Sequence, residues 1–169
     1  MQIIKFFMLL LLFIASSLIG RFLSKKYSYR VEELEDMKNA LNIFKAKIKF
    51  TYEPIPEIFD EIAKNANPNI AQIFIAAREK MANLSAEEAW QVAISESQTN
   101  LNKEDLHTIQ MLSKMLGQTD VEGQVSQIEV TESFLETQIK QAQEEKMKNE
   151  KLYNRLGTTI GLVIVIILI

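Results

Sequence analysis

The sequence holds no cysteine, one histidine (His107), one tryptophan (Trp90), five glycines and three prolines in 169 residues. Without cysteine there are no disulfides, no thiolate zinc sites and no thiol catalysis. One histidine cannot build HExxH or a histidine-rich metal site, and His107 is expected to face solvent. The glycines stand at 20, 117, 123, 157 and 161, none in a GxxxxGK[ST] or GxGxxG frame, so no loop is made to cradle nucleotide phosphates. So few glycines and prolines also leave little turn chemistry for a sheet-rich fold. Nothing around Asp60, Glu61, Glu87, Glu88, Glu144 or Glu145 marks an acid–base pair, and solvated helix faces account for them. No catalytic residue, metal ligand, cofactor or small-molecule substrate follows from the sequence, and the chain is expected to be non-enzymatic.

Charge is scarce at both ends. Residues Ile3 to Leu23 carry only Lys5 and Arg21 among runs such as Leu9 to Leu12, long enough to span roughly 30 Å of hydrocarbon. The favoured reading is a retained anchor. A cleaved signal peptide is the alternative, because Ala15, Ser16, Ser17 and Gly20 supply small residues near a cleavage point. From Leu156 to Ile169 there is no charged side chain after Arg155, and fourteen helical residues reach about 21 Å. That tail would not stay in water, and it spans if Leu152 and Tyr153 join in or the bilayer thins.

Basic residues sit on the inner flank of each segment. Arg21, Lys25, Lys26 and Arg30 follow the first, while Lys146, Lys148, Lys151 and Arg155 precede the second. By the positive-inside rule these are topology determinants that put the middle of the chain in the cytoplasm and both termini outside. They also suit contact with anionic membrane lipid. Between Val31 and Arg155 there are 14 Lys and Arg against 22 Asp and Glu, a balance that argues against nucleic acid as a partner.

The middle is patterned for helices throughout. Val31, Leu34, Met37, Leu41, Phe44 and Ile48 recur at steps of three and four, one stripe of a helix that Pro54 and Pro56 end. Ile55, Ile58, Phe59 and Ile62 line a second helix. The stretch from Asn65 to Asn69 is expected as a loop, followed by a third helix with Ile70, Ile73, Phe74, Ala77 and Met81 inward. Ser85 and Glu88 form a capping-box pattern that starts a fourth helix at Ala86, its buried side Ala89, Trp90, Ala93 and Ile94. Asn102 with Asp105 caps a fifth helix carrying Leu106, Ile109, Leu112 and Leu116, which Gly117 ends. Thr119 or Asp120 then caps a sixth, with Val121, Val125, Ile128, Leu135, Ile139 and Ala142 roughly in phase. The polar stretch from Lys140 to Lys151 has no stop signal and should run as a solvated stalk into the tail. The expected fold is therefore all-α, an antiparallel bundle of about six helices flanked by N- and C-terminal transmembrane helices. Its parts are an anchor over 1–23, a basic linker over 24–30, a cytoplasmic domain with its stalk over 31–155 and a membrane segment over 156–169. The turn of Gly117, Gln118, Thr119 and Asp120 could present backbone groups to a partner, or simply join a helix C-cap to the next N-cap.

The order of these features resembles the stage III sporulation protein AB family of endospore-forming bacteria. The resemblance covers essentially the whole chain and is carried most specifically by Ala86-Glu87-Glu88-Ala89-Trp90 and by Leu116-Gly117-Gln118-Thr119-Asp120, with Glu53-Pro54-Ile55 between helices. That family is similar in its helical domain to the F-type inner-membrane platform proteins of type II secretion and type IV pilus machines. Their inter-helix turn is of a Gly-Glu-x-x-Gly kind. Here Gln118 and Asp120 follow Gly117 and the next glycine is Gly123, so only Gly117 carries over.

The resemblance implies a component of the secretion-like channel complex between mother cell and forespore. It would lie in the outer forespore membrane with its domain in the mother-cell cytoplasm. The implied partners are a secretion-type ATPase and other membrane members of the complex, and the expected role is a docking platform; homo-oligomerisation is left open. The alternative from a different class is a secreted or surface helical protein with a cleaved signal and a C-terminal membrane anchor.

Overall fold

The computed structural model describes residues 2–51, 53–116 and 120–168. Among these described residues are six α-helices: α1 (Gln2–Phe50), α2 (Ile55–Asn65), α3 (Pro68–Lys80), α4 (Ala86–Ser95), α5 (Lys103–Gln110) and α6 (Val121–Leu168). A 3₁₀ turn, Met111–Met115, continues α5, and there is no strand among the described residues. The chain divides into two compact units. One is Arg30–Lys140; the other joins Met1–Tyr29 to Gln141–Ile169.

The Arg30–Lys140 unit is a helical domain whose core follows the expected stripes. Val31, Leu34, Met37, Leu41, Phe44 and Ile48 are all buried, as are Ile58, Phe59 and Ile62 of α2 and Ile70, Ile73, Phe74 and Ala77 of α3. Four rings form its centre: Phe59 stands 5.5 Å from Phe44, 5.1 Å from Phe74 and 5.5 Å from Trp90, with tilted or edge geometry. Such arrangements add to the area that each ring removes from water. Trp90 belongs to this core, and its indole N–H donates to the Ile109 carbonyl at 3.0 Å, so its burial leaves no donor unpaired.

Local chemistry sets the helix boundaries. Pro68 opens α3 inside the stretch expected as a loop, because a first-turn residue needs no N–H partner and the Asn67 side chain accepts from Asn69 and Ile70. Ser85 with Glu88 and Asn102 with Asp105 are both complete capping boxes. The fifth helix was expected to reach Leu116, but its α-helical part ends at Gln110 and Met111–Met115 tighten into 3₁₀ geometry. That tightening still buries Leu112 and Leu116, and it turns Ser113 inward, where Gln91 donates to its hydroxyl at 3.1 Å. On α6 the fully buried domain positions are Ile128, Thr131 and Leu135, with Gln138 almost so. Gln138 donates to the Thr108 hydroxyl at 2.8 Å. Val121, Val125 and Ile139 are only half-buried.

In the other unit, the first part of α1 and the last part of α6 pair antiparallel through small residues. A Cβ added to Gly20 would meet the Tyr153 carbonyl oxygen at 2.6 Å and Gly157 Cα at 3.2 Å; one added to Gly157 would meet the Ser16 carbonyl oxygen at 3.0 Å. At Gly161 the neighbour is a side chain instead: an added Cβ would meet the Phe13 ring at 2.9 Å. The Ser16 hydroxyl donates to the Gly157 carbonyl at 2.8 Å. Close approach at glycine, with a hydroxyl bonding across the seam, is how helices associate where lipid offers no hydrophobic drive. Residues 24–30, set apart from the sequence as a linker, are helical throughout. The outer faces are apolar and open, including Phe6, Leu11, Ile19 and Phe22 on α1 and Ile160, Leu162 and Ile166 on α6. Both α1 and α6 are long and apolar enough to cross a membrane.

Candidate functional site

The residues singled out from sequence fall in three places. Gly117, Gln118 and Thr119 lie outside the described residues. Asp120 is described: its carboxylate accepts from Gly123 N–H at 2.8 Å and its carbonyl from Gln124 N–H, so it caps α6. On the near side of the turn Leu116 is buried, whereas Asp120 is exposed. Arg21, Lys25 and Lys26 are exposed on α1 in the paired-helix unit.

Arg30 is placed differently from the other three basic residues. It is 7% exposed in the domain, and its Nε and Nη2 donate to the two carboxylate oxygens of Asp105 at 2.8 and 3.1 Å. Asp105 is wholly buried and also accepts from Asn102 N–H at 2.9 Å, so one carboxylate both caps α5 and ties it to α1. A fork-to-fork pair of this kind fixes geometry as well as charge. Nearby on α1, buried Glu33 accepts from Asn69 Nδ2 at 2.7 Å, from Asn100 N–H at 2.6 Å and from Asn100 Nδ2 at 2.7 Å. Asp36 accepts from Asn67 N–H at 2.7 Å. These contacts anchor α3, α5 and the segment before α5 to one helix.

Sequence reasoning passed over Arg30, Glu33 and Asp105 as members of the core. The signal was present in their spacing. Arg30 stands four residues before Leu34 and seven before Met37; Asp105 stands four before Ile109 and seven before Leu112. Charged residues at stripe positions must find partners when the stripe is buried.

The domain surface carries bridged charges alongside the exposed apolar side chains Phe50, Leu84, Val130 and Phe134. Lys38 pairs with Glu136 at 2.6 Å and Lys45 with Glu132 at 2.6 Å, joining α1 to α6. The Lys38 ammonium holds the Glu136 carboxyl below its ordinary range. Lys47 bonds Glu61 and Glu53, which raises its ammonium pKa. A groove of about 520 Å³ between α3 and α4 is lined by Asn69, Gln72, Ile73, Ala93, Ser97 and Gln98. His107 is exposed. Among the described residues no three His, Cys, Asp or Glu side chains stand together as a metal site.

Comparison with known proteins gives one consistent result. A family model described as stage III sporulation protein AB matches residues 5–169. A curated relative, stage III sporulation protein AB of Bacillus subtilis (strain 168), is 24% identical over 159 residues, covering 92% of this chain and 93% of the relative. A solved structure titled stage III sporulation protein AB (SpoIIIAB) is similar at a TM-score of 0.67 and 20% identity, over 71% of this chain and 98% of that one. At that identity the structural likeness speaks to the fold, and it agrees with the helical architecture described above.

Proposed function

Because the chain belongs to the stage III sporulation protein AB family, we propose that it is a docking component of the sporulation channel complex. It would be held in the outer forespore membrane, with its helical domain in the mother-cell cytoplasm. It acts by binding: the domain receives a secretion-type ATPase, and the paired helices hold it among the other membrane members of the complex. The carrying observation is the glycine seam of Gly20, Gly157 and Gly161, which builds an antiparallel helix pair whose exposed sides are apolar. That pairing also supports a retained N-terminal segment, since cleavage after Gly20 would remove one wall of the seam.

Orientation follows from the basic residues at one end of the pair. Arg21, Lys25 and Lys26 stand on the α1 side, and Lys148, Lys151 and Arg155 on the α6 side. The partner contact we assign to Gly117, Gln118, Thr119 and Asp120, the residues that precede α6 in the chain.

The test uses the absence of cysteine. Asn39→Cys and Asn83→Cys each put one thiol at an exposed position of the domain. With the chain produced in vegetative cells, where its membrane faces the medium, an impermeant thiol reagent should label neither until lysis. Labelling before lysis would place the domain outside and end the ATPase reading. After protection is established, capture of the ATPase by the wild type and its loss with Gly117→Trp would support the turn assignment.

A further inference from the structure

We propose that the paired helices carry a binding collar for acidic phospholipid headgroups, made by Arg21, Lys25 and Lys26 of α1 together with Lys148, Lys151 and Arg155 of α6. It rests on the reading above that the pair spans a membrane, and it names the lipid class that the pair selects.

Three contacts fix the antiparallel register: Gly20 on Gly157, Tyr27 stacked on Tyr153 with centroids 6.1 Å apart, and the Ser28 hydroxyl donating to Glu150 at 2.8 Å. Arg21 lies one residue past Gly20 and Arg155 two before Gly157, so their levels along the pair differ by about 1.5 Å. Lys25, Lys26 and Lys151 fall within a turn of the tyrosine stack, and Lys148 is two residues from Glu150. All six cations therefore occupy about 13 Å of the pair. Residues more than 120 apart in sequence become one charged belt.

Its charge is largely uncompensated. Glu150 is the only carboxylate over residues 21–29 and 148–156, a balance of +5, with Glu144 and Glu145 one turn beyond Lys148 at the edge of the belt. All six cations are exposed, whereas Gly20, Ser24 and Gly157 between them face inward and are buried. Among the described residues none of the six is ion-paired to a carboxylate. Phe22, Leu23, Leu152 and Leu156 interleave with them and are themselves exposed. A surface alternating cations with open apolar side chains matches the boundary where hydrocarbon meets headgroup, with long basic stems lying along the apolar surface. The paired rings of Tyr27 and Tyr153 sit at the same level, as interfacial aromatics do. A soluble acidic protein would cover the charges but leave the apolar residues wet; a leaflet of acidic lipid satisfies both.

The test reconstitutes the full chain in mixed phosphatidylcholine and phosphatidylglycerol vesicles, extracts it in mild detergent and measures the lipids that remain bound. Enrichment of phosphatidylglycerol by about threefold over the bulk is expected at low salt, collapsing at high salt. Lys148→Gln, Lys151→Gln and Arg155→Gln together should remove roughly half of it, and neutralising all six should return the bulk ratio. Unchanged enrichment in the α6 triple variant would overturn the two-helix collar. Loss of bound lipid on adding inorganic phosphate, beyond a chloride control of equal ionic strength, would overturn it in favour of a free-anion site. Equal retention of both lipids by wild-type protein that resists carbonate extraction would sink the lipid proposal alone. If carbonate removes the protein from the vesicles, the membrane reading itself fails.

Discussion

Two regions of the same helix solve the packing problem in opposite ways. Around Gly20, α1 meets α6 backbone to backbone, and one added carbon would come within 2.6 Å of the Tyr153 carbonyl. Around Phe44, the same helix meets its neighbours through large rings and branched aliphatic side chains, and nearer its entry to the domain the carboxylates of Glu33 and Asp105 and the Arg30 guanidinium are buried too. In water the domain is driven together by apolar area, so large side chains win and buried polar groups are mostly paired, Glu132 Oε1 and Gln138 Oε1 being exceptions among the described residues. In lipid that drive vanishes, and contact is gained by letting backbones approach. The composition of each stretch thus identifies the solvent it was built for.

The comparison is broken most severely in the domain. Asp105→Ala removes the carboxylate that holds both Nε and Nη2 of the buried Arg30 guanidinium and should cost about 3–5 kcal/mol. Replacing both together, Arg30→Met with Asp105→Leu, should recover most of that loss. Urea unfolding of the full chain in detergent, followed by Trp90 emission, reads the domain alone because Trp90 is the only tryptophan. If the double variant were as unstable as the single, the pair would hold the fold for a reason other than charge neutralisation.

The seam can be broken without touching the domain. Gly157→Leu should drive α1 and α6 apart in the paired unit, towards the roughly 8–10 Å axis spacing of helices separated by side chains. Spin labels at the exposed positions Leu11 and Leu162 would report the widening, while the Trp90 midpoint should stay where it was. A shifted midpoint would mean that the two regions are energetically one.

The smallest effect concerns a cap. The Ser85 hydroxyl and backbone N–H hold the Glu88 carboxyl below its ordinary value of 4.5. A lowered folded pKa means that the contribution of the box is complete above the ordinary carboxylate value and is lost as pH falls through the lowered one. Ser85→Ala should return the Glu88 titration, followed by NMR of its side chain, to the ordinary range. No change would show that the backbone bond alone sets it.

Much of this was legible from spacing alone. The stripes of α1, α2, α3 and α4, both capping boxes and the unbroken passage from the polar stalk into the tail were all encoded in residue order. What escaped were charged and polar residues holding core positions. A search for apolar periodicity discards Arg30, Glu33, Asp105, Thr131 and Gln138, though each is in phase with buried neighbours. The glycines escaped for a related reason. Judged as phosphate-loop candidates, Gly20, Gly157 and Gly161 were simply absent from a motif, and their pairing becomes visible only when two distant segments are laid side by side. The 3₁₀ turn at Met111–Met115 has no local breaker to announce it. Of the proposed partner turn, only Asp120 lies within the described residues, where it acts as the cap of α6.

The ties between α1 and α6 in the domain also set an order of assembly. Helices α2, α3 and α4 pack on sequence neighbours, so they can collapse as soon as they are made. The Lys38–Glu136 and Lys45–Glu132 bridges close loops of 98 and 87 residues, and Arg30 reaches 75 residues to Asp105. Bringing such distant segments together costs chain entropy before any contact repays it. The domain is thus a locally folded group of short helices awaiting a clasp, and α6 is the part of the clasp that arrives last.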